Sequence, residues 1–197
     1  MPPRTLRSTL NLTVLGLLAE KPRHVYDLRV TMQERGHDRT VKLKHATLYD
    51  TVGRLAKAGL VEAGDPIRDS ALPERTEYRL TAAGAERLAT WVRELLTEPT
   101  GDPSDLVTAL NFMFVLPRDE VVGLLEQRTA TLGATVAADA ERLTAAMQGG
   151  IPEVFLSEHD YTQALRRAEH AWLIAFTGNL RTGRLTWPAA GPQESSP

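Results

Sequence analysis

Cysteine is absent from the 197 residues, so a disulfide framework, a thiolate zinc site and a thiol nucleophile are excluded together. Long apolar runs are missing as well. The stretch LNLTVLGLL (residues 10–18) is too short, and too interrupted by threonine, for a membrane span or the core of a secretion signal. A cytoplasmic protein with no membrane partner is the expectation. Aromatic residues make up only 6% of the chain, but 42% hydrophobic residues suffice for a core in one large domain or two small ones. Ser8, Ser70 and Ser157 sit in no nucleophile-elbow context. His159 and His170, eleven residues apart, have no carboxylate at a metal-ligand interval. Neither an enzyme, a metal site nor a cofactor is expected, and no internal repeat is found.

A marked excess of charge of either sign is also missing, since the formal net charge is −2. Its distribution is uneven, however. Residues 1–60 carry 11 Lys and Arg against 5 Asp and Glu, and residues 61–197 carry 12 against 20. A local positive surface on a near-neutral protein can still attract a polyphosphate, because salt limits the reach of a charge to roughly 8 Å at physiological ionic strength.

What is present is a succession of short helical patterns. Residues 10–20 place leucine and valine on one helical face and end before Lys21-Pro22, where proline disfavours continuation. Residues 25–35 repeat the pattern through Val25, Leu28 and Met32 and stop at Gly36. A third helix is predicted from His45 to Ala58, ended by Gly59. Residues 61–65 and 76–81 read as two strands joined by the polar loop PIRDSALPER, and Thr81 can cap a fourth helix over 82–97 with Leu88, Val92, Leu95 and Leu96 inward. After the linker TEPTGDP, Asp102 as cap and Pro103 at the first helical position open an apolar helix over 104–115. Pro117 opens a long helix with a heptad-like stripe of Val121, Leu125, Leu132, Val136, Ala140, Leu143 and Met147. The last helix, signalled by Ser157 and Asp160, carries a seam of Tyr161, Leu165, Ala168, Trp172, Ala175 and Asn179. The helix opened by Pro117 extends about 40 Å at 1.5 Å per residue, beyond what a compact monomer needs, which points to a partner.

The third helix holds the functional signal. Leu48, Val52 and Leu55 share one face and suit a core. The opposite face presents Ala46, Thr47, Asp50, Gly53, Arg54 and Lys57, with Tyr49 on the flank. Ala46 and Gly53 leave room for close approach to a groove, Thr47 and Asp50 can reach base edges, and Arg54 and Lys57 can neutralise phosphates. Lys42, Lys44 and His45 lie where phosphate would meet the helix N-terminus. The same residues also fit an ordinary solvated face, and Tyr49 fits either a phosphate contact or a seal on the core. Two preceding helices, a hairpin bearing Arg68 and Arg75, and the basic N-terminal segment favour the winged helix-turn-helix of transcription factors.

The stretches LTVLGLLAEKPRHVYDL, TLYDTVGRLAKAGLVEAG and PERTEYRLTAAGAERL resemble the PadR-type transcriptional regulators. The resemblance is carried by His24, Tyr26, Leu48-Tyr49, Gly59-Leu60, Tyr78, Leu80-Thr81 and Gly84. The chain departs from the family pattern at Val25, where glycine is common, and at His45-Ala46, where Pro-Gly is common. The C-terminal stretches LVTALNFMFVLPRDEVVGLLEQR and HAWLIAF are similar to the helical domain of the family's longer branch. The resemblance implies a homodimeric regulator, usually a repressor, that binds a near-palindromic operator in double-stranded DNA and is often released by a small molecule.

The expected architecture is mainly α with a small β-hairpin. Residues 1–98 form the winged helix-turn-helix DNA-binding domain, 99–186 a helical dimerisation and effector domain, and 187–197 a disordered tail. Trp91, Phe112, Phe114, Trp172 and Phe176 either line a pocket for a small apolar or aromatic effector or are plain core. The alternative to a DNA-binding regulator is a winged helix whose basic face docks on an acidic protein.

Overall fold

The computed structural model describes residues 8–37, 45–64, 76–99 and 102–188, and for His45 and Ala46 only the backbone. Helix α1 (Thr9–Glu20) starts at Ser8, whose hydroxyl accepts from the Asn11 amide at 3.2 Å, as an N-cap serine should. The sequence suggests one buried face, whereas every residue from Leu10 to Leu18 is buried. The reason is topological, since helices and a strand from later in the chain close around it. Pro22 ends α1. The next two residues, read as a connection, form strand β1 (Arg23–His24) before helix α2 (Val25–Glu34).

Helix α3 (His45–Lys57) buries Leu48, Val52 and Leu55 as expected, together with Thr51. It stops in a paired C-terminal cap: Leu60 N–H donates to the Leu55 carbonyl at 3.0 Å and Gly59 N–H to the Ala56 carbonyl at 2.9 Å. This cap requires the left-handed region, and Gly59 takes φ +71°. Strands β2 (Val61–Ala63) and β3 (Glu77–Leu80) pair antiparallel, with Val61 opposite Leu80 and Glu62 opposite Arg79. Strand β1 pairs with the other edge of β3, Arg23 opposite Tyr78, giving the order β1-β3-β2.

Helix α4 (Ala82–Thr97) begins at Thr81. Its hydroxyl accepts from Gly84 N–H at 3.0 Å and donates to the Gly59 carbonyl at 2.7 Å, so one side chain caps α4 and fixes the end of α3. A Cβ at Gly84 would collide with the Leu60 carbonyl oxygen, which accounts for glycine there. Leu88, Trp91, Val92, Leu95 and Leu96 are buried along α4.

Helix α5 (Pro103–Phe112) has Asp102 as its cap, accepting from Ser104 N–H at 2.8 Å. It is shorter than the sequence suggests, because residues Met113–Val115 tighten into a 3₁₀ turn. The described residues fall into two compact units, one of residues 8–95 with 102–115 and one of 96–99 with 116–188. Grouping of α5 with the first unit follows from its contact with α1, where the Phe112 ring fills the space over Gly16.

The second unit is an antiparallel pair, α6 (Arg118–Gln148) and α7 (Ser157–Arg181), joined through a 3₁₀ turn at Glu153–Leu156. Val121, Leu125 and Leu132 of α6 and Leu173 and Leu180 of α7 form its apolar core. The rest of the predicted α6 stripe departs from that core: Val136, Ala140 and Leu143 are half-buried and Met147 is exposed. The α7 seam faces elsewhere. Tyr161, Leu165, Ala168, Trp172 and Ala175 are exposed, and α7 meets α6 instead through Gln163, Leu173, Thr177 and Leu180.

Candidate nucleic-acid interface

The exposed face of α3 gathers Thr47, Tyr49, Asp50, Gly53, Arg54 and Lys57 around one shallow concavity of about 530 Å³. Packing produces this arrangement. Leu48, Val52 and Leu55 are at most 1% exposed, so the helix cannot rotate, and the residues half a turn away are held outward. Arg54 donates to the Thr51 hydroxyl at 3.2 Å, which orders a side chain that would otherwise be free to sweep the surface. The concavity therefore combines a hydroxyl, a phenol and a carboxylate with two cations, the mixture needed to read base edges and hold phosphates.

Of the other residues singled out from sequence, Lys42, Lys44, Arg68 and Arg75 lie outside the described residues, as does the side chain of His45. Arg79 on β3 faces Glu62 across the pair at 3.6 Å, so this strand cation is partly neutralised. Tyr26 on α2, marked in the sequence only by the family resemblance, is half exposed and lies under the Arg29 guanidinium, 5.1 Å from ring centre. Their spacing of three on a short helix was the available signal.

The basic excess of the first sixty residues is not all surface. Arg23 is buried and donates to the Leu17 carbonyl at 3.3 Å, the Thr31 hydroxyl at 3.1 Å and the Glu20 carboxylate at 2.9 Å. Arg35 grips the same carboxylate at 2.9 Å, and the hydrogen bond to Glu20 raises its pKa above the ordinary arginine value. Both cations fasten α2 to the end of α1 rather than facing a ligand.

The five aromatic residues are divided between the two units, three in the first and two in the second. Trp91 is buried in the first unit with the Arg87 guanidinium 5.9 Å from its ring centre. Phe112 is core there, edge-on to His37 at 5.7 Å and 6.3 Å from Phe114. Trp172 and Phe176 belong to the second unit and stack at 4.6 Å with 11° between planes. Among the described residues no cluster of three metal-ligating side chains occurs, and no helix is long and apolar enough to cross a membrane.

Comparison with solved structures finds likenesses of low identity that run nearly the full length of the other chain. Bacillus subtilis PadR in complex with operator DNA is 19% identical, over 88% of this chain and 99% of that one, with a TM-score of 0.43. A protein of Streptococcus mutans UA159 is 19% identical over 87% and 99%, with a TM-score of 0.40. Bacillus subtilis PadR in complex with p-coumaric acid is 18% identical over 88% and 99%, with a TM-score of 0.37. No curated protein matches the sequence. A family model does match, from within α1 to the first half of α4: residues 14–90 match the model of the transcriptional regulator PadR-like family.

Proposed function

We propose that the protein is a sequence-specific DNA-binding transcriptional regulator, working as a homodimeric repressor released by a small molecule. The observation that carries this reading is the outward face of α3, where Thr47, Asp50, Arg54 and Lys57 line one concavity on a helix locked from behind. A helix with that face, followed by an antiparallel strand pair, suits insertion into a major groove. The family assignment of residues 14–90 supports the same conclusion.

The homodimer is supported by α7. Tyr161, Leu165 and Trp172 are 66%, 52% and 44% exposed along one line at spacings of four and seven, an apolar stripe that a second copy of the helix would cover. Two recognition helices would then meet successive major-groove segments about one helical turn, roughly 34 Å, apart. In this reading residues 1–98 bind DNA, 99–186 dimerise and respond to effector, and the protein acts in the cytoplasm. The Trp172–Phe176 stack, with Trp172 exposed, offers a flat apolar surface for an aromatic effector, which releases DNA only if it favours a dimer with the wrong helix spacing.

Footprinting tests the reading. Genomic fragments retained by the protein should show two protected half-sites about ten base pairs apart and related by a dyad. Retention of no DNA, with binding of the same face to an acidic protein instead, would replace it with the interaction-module alternative.

A further inference from the structure

The glycines inside the helices differ in what surrounds them. A Cβ at Gly16 would strike the Phe112 ring, one at Gly84 the Leu60 carbonyl, and one at Gly133 would lie 2.9 Å from His170 Nε2. Each of these has its reason within the chain. Gly53 has none among the described residues: none of them lies within 4 Å of the position its Cβ would take, and its φ is not positive. A glycine in a helix interior is less stable than alanine, so the residue weakens α3 without any internal return. Gly123 and Gly178 are equally open among the described residues, but they belong to the helical unit, where Gly178 borders a separate concavity.

Gly53 is set apart by its surroundings. Asp50 lies one turn before it and Lys57 one turn after, and both border the same concavity. Arg54, bordering the same concavity, is tied to the Thr51 hydroxyl one turn back along the helix. A carboxylate suited to a base edge and cations suited to phosphates thus flank a stretch of bare backbone.

We infer that Gly53 is the point of closest approach between α3 and DNA, a positioning residue whose missing side chain sets how deeply the helix enters the groove. The inference rests on the DNA-binding reading above. With Gly53 against the groove wall, Thr47 and Asp50 reach base edges while Arg54 and Lys57 meet the backbone. Any side chain at 53 lifts the helix and lengthens all four contacts together. Stability and binding are therefore opposed at this position.

The test compares the full-length protein with Gly53→Ala and Gly53→Leu, reading thermal melting and affinity for the duplex that the wild type enriches most strongly from a random library. Gly53→Ala should melt about 2–4 °C higher. Its affinity should fall about tenfold, the scale of one lost base contact, and that of Gly53→Leu about a hundredfold. Equal affinity in all three proteins would overturn the inference, as would a lower melting temperature for Gly53→Ala, which would mean that the glycine has a reason inside the fold. A wild-type protein that enriches no duplex would instead defeat the DNA-binding reading, and the inference with it.

Discussion

Glu20 holds two guanidinium groups, those of Arg23 and Arg35, and this single carboxylate changes how the charge of the N-terminal segment is to be understood. From sequence, eleven cations in the first sixty residues look like one electrostatic footprint. In the fold, Arg23 and Arg35 serve the α1–α2 junction, which leaves Arg54 and Lys57 as the cations that the described residues place on α3's outward face. That division was not legible in the sequence, because the partners of a buried arginine are decided by packing between helices and not by spacing along one of them. Two predictions belong at this scale. Arg54→Ala and Lys57→Ala should each weaken DNA binding and lower the slope of log affinity against log salt by about one, as measured by anisotropy titration. Glu20→Gln should cost about 2 kcal/mol of stability in urea unfolding, since it leaves the buried Arg23 guanidinium short of its countercharge. An unchanged unfolding midpoint would show that the Leu17 carbonyl and the Thr31 hydroxyl suffice for Arg23.

Elements were legible where periodicity and punctuation agree. The boundaries of α3 and α4 follow from Leu48, Val52, Leu55, Gly59 and Thr81, all local signals, and the face opposite those leucines was identified for the same reason. Strand β1 was missed because two residues carry no period; it exists only because β3 is there to pair with. The attachment of α5 to α1 depends on Phe112 meeting Gly16, a contact separated by nearly a hundred residues. Gly16→Ala should therefore destabilise the protein by about 1–3 kcal/mol through overpacking, and adding Phe112→Leu should recover part of that loss in a double-mutant unfolding cycle. At the start of α5, hydrogen bonds from Ser104 hold the Asp102 carboxyl below its ordinary pKa. Because the folded-state value is depressed, the stabilisation is present above the unfolded carboxylate value and fades as pH falls through the folded one. Asp102→Ala should lower stability by about 1 kcal/mol at neutral pH, and its deficit should narrow below about pH 4.

For the whole molecule, the long terminal helices carry two kinds of apolar surface, one inside the α6–α7 pair and one outside it. The sequence showed the α7 seam but could not say which surface it would meet, since a helix pair and an assembly of pairs leave the same heptad trace. Its exposure, with Tyr161, Leu165 and Trp172 all facing outward, is what the proposed dimer rests on. Trp172→Glu should shift sedimentation from dimer to monomer without loss of helical content. Whether the α3 face binds a specific duplex is decided by anisotropy on the DNA immediately upstream of the protein's own gene, across roughly 50 to 200 mM salt with scrambled duplex as competitor. Binding should survive the competitor yet weaken about a thousandfold over that range, as expected for a dimer neutralising six or more phosphates. Binding that the scrambled duplex abolishes, or that ignores salt, would contradict the DNA-binding reading.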